Sequence, residues 1–347
     1  MDFRSDNAVG AHPAIIEALA RAYRAGPMSS YGADEITARV TQRLRQAFEH
    51  DSLVAFPVAT GTAANALSLA CLTPPWGVVF CHPAAHINVD EANAPEFFSN
   101  GAKLQCVDGP AGKLDMPSLE RALAVDVKGV VHHAQPAAIS ITQATECGAS
   151  YTPDEVRAVS AQAKKHGLSL HMDGARLGNA LIHLGCKPAD VTWKAGVDVL
   201  SFGATKNGAL AAEAVVFFAP DLAREFEFRR KRAGHLFSKM RALSAQLDAY
   251  LAEDLWLANA RHANAMARRL AEGLGRLNTS RLLYPVEANE IFIALPAAAN
   301  RALEAAGFKY YPWPSDRPGE QAYRLVTAFD TDPADVDRFI SVATAAV

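Results

Sequence analysis

Short apolar runs alternate with longer amphipathic segments over residues 53–218. The apolar runs predict strands at residues 53–56, 78–81, 103–107, 129–131, 168–172, 197–202 and 214–218. The segments between them predict helices at residues 61–72, 116–124, 153–166 and 176–184. Strands that are apolar on both faces and alternate with helices indicate a mainly parallel sheet that is covered on both sides. The sequence therefore predicts an α/β fold in which ligands bind at the carboxyl ends of the strands.

The two ends of the chain have a different pattern. Pro13 begins one helix at a position where its missing N–H costs little, and Gly26-Pro27 ends that helix. Further elements are predicted as helices at residues 34–50, 221–251, 257–277, 298–306 and 333–346 and as short strands at 291–294 and 323–327. This change of composition predicts a large α/β domain at residues 1–251 and a smaller α+β domain at residues 252–347.

Composition narrows the classes of function. The 347 residues are half apolar and a fifth charged, with a formal net charge of −3. The densest basic run, RRKR at residues 229–232, is predicted to be a solvated helix face and not a nucleic-acid surface. Five scattered cysteines without a CxxC pair indicate reduced thiols. Neither an apolar signal core nor a run of about 18 apolar residues is present. We expect a soluble cytoplasmic protein that binds neither nucleic acid nor a membrane.

Lys206 lies in a loop of small residues, GATKNG at residues 203–208, directly after an apolar strand. A lysine there can reach into a cleft. A lysine that attacks an aldehyde must be neutral, and burial favours the neutral form. The alternative is an ordinary surface lysine in a glycine-rich turn, which so short a motif leaves open.

Asp173 ends another apolar strand, in the stretch LHMDGAR at residues 170–176. A buried carboxylate needs a cationic partner. The ring nitrogen of pyridoxal phosphate (PLP) is such a partner, since PLP enzymes commonly keep it protonated with an aspartate. The alternative is a helix N-cap. His171 is predicted to occupy a structural, hydrogen-bonded position.

A third motif, ATGTAAN at residues 59–65, follows a strand and opens a helix. The backbone amides at a helix start, beside threonine hydroxyls, bind phosphate. The alternative is a simple capped turn. Taken together, a phosphate loop, an aspartate after a strand and a lysine after a later strand occur in the order of a PLP fold.

The chain resembles the PLP-dependent low-specificity L-threonine aldolases, especially the bacterial subgroup that includes phenylserine aldolase. The stretch FRSDN at residues 3–7 resembles the family's Arg-Ser-Asp-Thr, and HMDGAR at residues 171–176 matches its His-x-Asp-Gly-Ala-Arg. The likeness extends over nearly the whole chain. It implies the aspartate-aminotransferase-like PLP fold type I. It also implies an aldolase that cleaves the Cα–Cβ bond of L-β-hydroxy-α-amino acids to glycine and an aldehyde.

The resemblance also implies roles for individual residues. Lys206 would form the Schiff base with PLP, and Asp173 would pair with the ring nitrogen. His86 would stack on the ring, and it is the first choice for the base that removes the β-hydroxyl proton. The residues implied for binding the cofactor are Thr60, Gly61, Thr62, His86, Asp173, Arg176 and Lys206. No metal is implied, and Pro83 between His82 and His86 breaks a zincin pattern.

The substrate carboxylate is implied to lie against Ser5, Arg176 and Arg324, and planar bidentate recognition suits arginine. Enzymes of this fold usually build each active site at a subunit interface, so the resemblance also implies a homodimer or homotetramer. Threonine, allo-threonine and phenylserine remain open as substrates, because one methylene discriminates by only about 1–3 kcal/mol.

Two stretches depart from the family pattern. Many members carry Glu-Asn-Thr-His after a central strand, where this chain has Thr142-Gln143-Ala144-Thr145, so the second histidine is absent. The loop after His86 reads EANAP at residues 91–95, where relatives usually have glycine. Both departures concern the β-carbon side of the pocket.

Three other functions remain open. The nearest is another PLP reaction on the same scaffold, such as β-elimination, transamination or racemisation. A non-catalytic binder that kept the fold is the second, and the presence of Lys206 argues against it. A metal enzyme is the third.

Overall fold

The structure is a computed structural model that describes residues 1–125, 127–277 and 280–347. A seven-stranded sheet forms its centre, in the order β1-β7-β6-β5-β4-β2-β3. The strands are β1 (Val54–Val58), β2 (Gly77–Cys81), β3 (Lys103–Cys106), β4 (Gln135–Thr142), β5 (Ser169–Gly174), β6 (Val199–Gly203) and β7 (Glu213–Phe217). The pairs among β2 to β6 are parallel, whereas β7 runs antiparallel to β1 and β6. The predicted α/β class with a mainly parallel sheet is confirmed.

Helices cover both faces of this sheet. They are α1 (Pro13–Arg24), α2 (Glu35–Ala47), α3 (Gly61–Leu72), α4 (His86–Val89), α5 (Ala94–Phe98), α6 (Met116–Leu123), α7 (Pro153–His166), α8 (Leu177–Leu184), α9 (Pro188–Val191), α10 (Phe226–Arg232) and α11 (Arg241–Leu251). The helix α3 is apolar around most of its circumference and is buried against the central strands. A helix of that composition is stable only when it is enclosed in this way.

The helix α7 shows how local chemistry sets the limits of an element. The side chain of Thr152 caps its first turn, and Glu155 returns the bond in a capping box. Gly167 ends the helix in a left-handed conformation, at φ 70°. The sequence prediction of residues 153–166 is therefore correct at both ends, because both ends are set by short-range hydrogen bonds.

Two predicted elements are wrong. Residues 129–131 form a turn, in which Val131 is 91% exposed, and the strand is Gln135–Thr142. Its small residues Pro136-Ala137-Ala138 carry little hydrophobic signal, so the strand was missed. The helix predicted over residues 221–251 is divided into α10 and α11 by a non-helical stretch that contains Gly234, at φ 77°.

A second layer follows α11. It consists of α12 (Leu255–Leu274), α13 (Ala297–Ala305), α14 (Pro333–Ala345) and an antiparallel sheet of β8 (Arg281–Leu282), β9 (Glu290–Ala294), β10 (Tyr311–Trp313) and β11 (Ala322–Val326), in the order β10-β11-β9-β8. Between α11 and α12 the backbone turns through Glu253 and Asp254, which both have positive φ. The division of the chain at residues 251 and 252 stays a prediction.

The N-terminal segment packs in this second layer. Phe3 is fully buried there, with its ring 5.4 Å from that of Phe339. Its backbone N–H donates to Lys309 O over 2.7 Å, and its carbonyl accepts from Val326 N over 2.8 Å. These bonds place residues 5–7 beside the carboxyl edge of the large sheet.

Candidate active site

One cavity of about 430 Å³ lies at the carboxyl edge of the large sheet. Thr142 ends β4, Asp173 lies near the end of β5, and Lys206 follows β6. The antiparallel direction of β7 brings its first residue, Glu213, to the same edge. The lining residues are Asn7, Ala59, Thr60, Gly61, Thr62, Asn65, His86, Thr142, Ala144, Glu146, Asp173, Ala175, Arg176, Thr205, Lys206, Leu210, Ala211 and Glu213. The three motifs that sequence analysis singled out thus meet at one cavity.

Asp173 is 5% exposed and is held by two hydrogen bonds. Its Oδ1 accepts from Ala175 N over 2.9 Å, and its Oδ2 accepts from Asn65 Nδ2 over 2.7 Å. A carboxylate oxygen can accept more than one bond, so both contacts leave capacity for a cationic ligand. The carboxylate is therefore fixed in orientation at the cavity wall.

A line of polar groups joins Asp173 to His86. The amide of Asn65 also donates to Glu91 Oε1 over 2.9 Å, and His86 Nδ1 lies 2.8 Å from the same oxygen. Burial raises the pKa of Glu91. The hydrogen bond to Glu91 in turn raises the pKa of His86. Sequence analysis assigned no role to Asn65 or Glu91, although an asparagine within the apolar α3 was a signal.

The loop at residues 59–62 forms an anion cradle at the start of α3. Thr60 caps the helix, its Oγ1 accepting from Ala63 N over 3.1 Å. In the ranges that the structure covers, the N–H groups of Gly61 and Thr62 have no protein acceptor. A Cβ at Gly61 would meet no atom within 4 Å, so the space above the loop is open. Free amides at a helix start favour an anion.

Lys206 lies in a short 3₁₀ turn, Thr205–Asn207, that follows β6. Its Nζ makes no hydrogen bond or ion pair with the described residues. Gly203 lets this turn approach the Asp173 loop, since a Cβ there would lie 2.6 Å from backbone atoms of Ala175. Behind the lysine, Glu213 is buried and its Oε2 accepts from Ala204 N over 2.8 Å. Burial raises the pKa of Glu213 to about 7.

Arg176 is buried among carboxylates. Its guanidinium forms a two-pronged pair with Asp6, at 2.7 and 3.0 Å. Its Nη1 lies 3.2 Å from Glu290 Oε2, although the alignment there is not that of a hydrogen bond. Burial alone would raise the pKa of Asp6, but Arg176 outweighs it and holds that pKa below its ordinary value. The pairing fixes the guanidinium plane at the cavity.

Ser5 and Arg324 are outside the set of residues that line the cavity. Ser5 Oγ accepts from the N–H of Asn7, which does line it, over 3.1 Å. Arg324 donates to Arg4 O over 3.2 Å and stands over the ring of Trp313. Their assignment to the substrate carboxylate stays a prediction.

Glu146 is a lining residue that sequence analysis missed. The stretch that departs from the family pattern ends at Thr145, whose side chain is buried and donates to Ala111 O. The next side chain, Glu146, reaches the cavity instead. Its Oε1 accepts from His86 N over 2.8 Å and from Thr142 Oγ1 over 2.9 Å. A polar residue directly after the aligned stretch was the available signal.

The structure also bears on the interpretations of His171 and of the basic run at residues 229–232. His171 is fully buried between Ser140 and Ser201, and burial lowers its pKa to about 4, as suits a structural position. The basic run at residues 229–232 is not a wholly solvated face. Arg230 is 4% exposed and lies over the ring of Phe56.

The donor set fits PLP. The cavity presents a fixed carboxylate for a ring nitrogen, an imidazole, a helix start with free amides for a phosphate, and a lysine amine without a partner among the described residues. Within the same ranges, no group of three or more His, Cys, Asp or Glu side chains could hold a metal ion. No helix in the described residues is long and apolar enough to span a bilayer.

The chain is similar to known proteins over almost its full length. The family model described as "Beta-eliminating lyase" matches residues 2–298. A "Low specificity L-threonine aldolase" of Pseudomonas aeruginosa is 46% identical over 330 residues, which cover 95% of this chain and 93% of the relative. A protein of the same name from another Pseudomonas strain is 43% identical over 96% of this chain and 94% of the relative.

A solved structure of threonine aldolase from Leishmania major superposes with a TM-score of 0.92. Its sequence is 29% identical, and the superposition covers 99% of this chain and 98% of that one.

Proposed function

The chain belongs to the beta-eliminating lyase family, and we propose that its cavity cleaves the Cα–Cβ bond of L-threonine and related L-β-hydroxy-α-amino acids to glycine and an aldehyde. The protein is a PLP-dependent carbon–carbon lyase. The observation that carries the proposal is the meeting of Lys206, Asp173 and the α3 amides at one cavity. The names of the Pseudomonas relatives support the choice of threonine.

Pyridoxal phosphate, when bound, supplies an aldehyde that captures an amine and a protonated ring that accepts the electron pair released at Cα. Lys206 would hold the aldehyde carbon, and Asp173 would hold the proton on the ring nitrogen. The amides of Gly61 and Thr62 would bind the phosphate, with the Thr60 hydroxyl beside them. Asn65 fixes the Asp173 carboxylate in orientation through its 2.7 Å bond.

The substrate carboxylate is assigned to Arg176, with Ser5 and Arg324 as its proposed partners. The pairing with Asp6 keeps the guanidinium in one orientation, so little side-chain entropy remains to be lost on binding. His86 is proposed to stack on the cofactor ring. Its Nδ1 bond to Glu91 limits rotation of the imidazole. Its assignment as the catalytic base stays a prediction from sequence.

We extend the proposal to phenylserine as a substrate beside threonine and allo-threonine. The apolar side chains of Ala144, Leu210 and Ala211 line part of the cavity, which supports acceptance of an apolar β-substituent. Comparison of kcat/KM for the three amino acids measures this preference.

A homodimer or homotetramer is also proposed. Phe97 and Phe228 are 75% and 79% exposed, and exposed apolar side chains that group into one patch favour an interaction surface. Their helices adjoin, since Arg229 donates to Phe98 O. A cytoplasmic location remains a proposal, supported by five cysteines that are free thiols.

The assignment of Lys206 is tested by reducing the purified holoenzyme with borohydride and mapping the labelled peptide. We expect the label on Lys206, its loss in Lys206→Ala, and its retention in the surface control Lys194→Ala. Products are assayed in parallel. A label on another lysine contradicts the assignment of Lys206, and ammonia with a keto acid in place of glycine with an aldehyde contradicts aldol cleavage.

A further inference from the structure

Glu146 has one carboxylate oxygen that is fixed and one that is not. Its Oε1 accepts two hydrogen bonds, from the backbone of His86 and the hydroxyl of Thr142. Its Oε2 is buried and has no hydrogen-bond partner among the described residues. The residue nevertheless lines the cavity. One oxygen therefore anchors the group, while the other is available to a ligand.

A buried acceptor without a hydrogen-bond partner destabilises the folded protein. A buried polar atom without a partner costs about 1–3 kcal/mol, so such atoms are few and call for an explanation. Three carboxylates line the cavity in the described part of the chain, namely Asp173, Glu213 and Glu146. Of these, Glu146 alone has a buried oxygen without a hydrogen bond. A ligand hydroxyl in the cavity would satisfy it.

The position of Glu146 places it on the side of the site where the family pattern is broken. It directly follows Thr142-Gln143-Ala144-Thr145, in which the second histidine is absent. Through its bond to the His86 backbone it is tied to the start of α4, and so to the imidazole proposed to stack on the cofactor. The carboxylate that reaches the cavity thus comes from the segment in which the histidine is missing.

We propose that Glu146 accepts the β-hydroxyl proton of the substrate at Oε2, an inference that rests on the proposed aldolase function. As the Cα–Cβ bond breaks, its electron pair stays with Cα, where the bound cofactor would stabilise it. The hydroxyl oxygen forms a second bond to Cβ and leaves as the aldehyde, and its proton moves to Glu146. Cα then gains a proton to give glycine, and Glu146 releases its own, so no external reagent is consumed.

The electrostatic setting suits a group that takes up and releases a proton. Burial raises the pKa of Glu146 to about 7, against the two hydrogen bonds that favour its charged form. A base with a pKa near the working pH is the most effective one. The titratable and charged groups near it are Cys81, His86, Cys147, Tyr151, Asp173 and Arg176.

The test compares Glu146→Gln with wild-type holoenzyme. Glutamine keeps the shape and can still accept the bonds from His86 and Thr142, but it cannot take up a proton. General-base losses are typically 10²–10⁴-fold, so we expect kcat for threonine cleavage to fall by roughly that factor. Exchange of the glycine α-proton with deuterated water involves no β-hydroxyl and is expected to continue at the wild-type rate.

A matched control is Glu287→Gln. Glu287 also accepts from a backbone N–H, that of Ser150 over 2.7 Å, but it lies outside the cavity lining. This variant is expected to keep wild-type cleavage and exchange. If wild-type protein releases no aldehyde, the proposed function fails; if wild type cleaves and Glu146→Gln cleaves equally fast, only the present inference fails.

A second readout does not depend on activity. In cofactor-free protein, the infrared carbonyl stretch of a protonated carboxyl should titrate with a midpoint near 7 in the wild-type minus Glu146→Gln difference spectrum. The wild-type minus Glu287→Gln spectrum should lack that band. Absence of a titrating band from about pH 5 to about pH 9 overturns the proposal. The proposal is also overturned if His86→Asn loses cleavage while Glu146→Gln cleaves at the wild-type rate.

Discussion

Buried carboxylates dominate the chemistry of this protein at the scale of single residues. Asp173, Glu146 and Glu213 line one cavity, and Glu91 lies directly behind it. Asp173 has both oxygens bonded, whereas burial raises the pKa of the other three. The surroundings thus raise the pKa of Glu91, Glu146 and Glu213 and fix the orientation of Asp173, so groups of similar type can take different roles at one site.

Glu213 provides a prediction about stability and pH. Its folded pKa of about 7 lies above the ordinary 4.5, so the folded state holds this proton more tightly than the unfolded chain does. The stabilising effect is complete below about pH 4.5 and is lost as the pH rises to about 7. Glutamine does not titrate, so Glu213→Gln does not lose this stabilisation as the pH rises. Relative to wild type, the variant should gain up to roughly 3 kcal/mol in unfolding free energy between about pH 4 and about pH 8.

Urea unfolding of cofactor-free wild type and variant at both pH values measures this gain. The surface variant Glu253→Gln is the control and should show no pH-dependent difference from wild type. A Glu213→Gln curve parallel to that of wild type across the range would show that folding does not raise the pKa of Glu213.

At the scale of elements, the start of α3 combines a structural and a binding role. The Oγ1 of Thr60 accepts from one amide of the first turn, and the amides before that one have no acceptor among the residues that the structure describes. The macrodipole adds only about 0.3–1 kcal/mol at such a terminus. The cap therefore matters mainly because it holds the free amides in one geometry.

Thr60→Ala tests this combined role. We expect a loss of about 0.5–2 kcal/mol in unfolding free energy, as for other N-cap threonines, together with weaker PLP binding. Thr152→Ala at the start of α7 removes an equivalent cap that lies outside the cavity lining. It should cost similar stability and leave the Kd for PLP unchanged. If Thr60→Ala binds PLP as tightly as wild type does, the cap does not contribute to phosphate binding.

At the scale of the whole molecule, the N-terminal segment links the two layers. Phe3 is buried against Phe308 and Phe339 in the second layer, while Asp6, three residues on, holds Arg176 at the cavity. Because so few residues separate them, a displacement of Phe3 in the second layer would also displace Asp6 at the cavity. Packing at residue 3 should therefore influence the site as well as stability.

Phe3→Ala is expected to lower the unfolding free energy by about 3–5 kcal/mol, the usual loss for a buried phenylalanine. It should also raise KM for threonine, because Asp6 and Arg176 are less firmly placed. Val131→Ala, at a 91% exposed position, should change stability by no more than about 0.5 kcal/mol. Calorimetry and steady-state kinetics measure both effects. A destabilised Phe3→Ala with unchanged KM would show that the site is held independently.

The sequence alone determined the features that depend on short-range chemistry and on hydrophobic periodicity. The limits of α3 and α7, the buried strand that contains Asp173, the buried strand before Lys206 and the order of the three motifs are of this kind. They indicated the α/β class and the PLP chemistry. The sequence did not predict β4, because its small residues give little periodic signal. It also did not predict the break between α10 and α11.

Only the tertiary structure decided which polar groups lie together at the cavity. Asn65, Glu91 and Glu146 come from three separate segments, and no local pattern shows that they meet at His86 and Asp173. It also placed Arg324 outside the cavity lining and buried Arg230 against the ring of Phe56. The physical reason is that burial, hydrogen-bond pairing and pKa depend on neighbours that are distant in the chain, whereas the sequence pattern reports only the neighbours that are near.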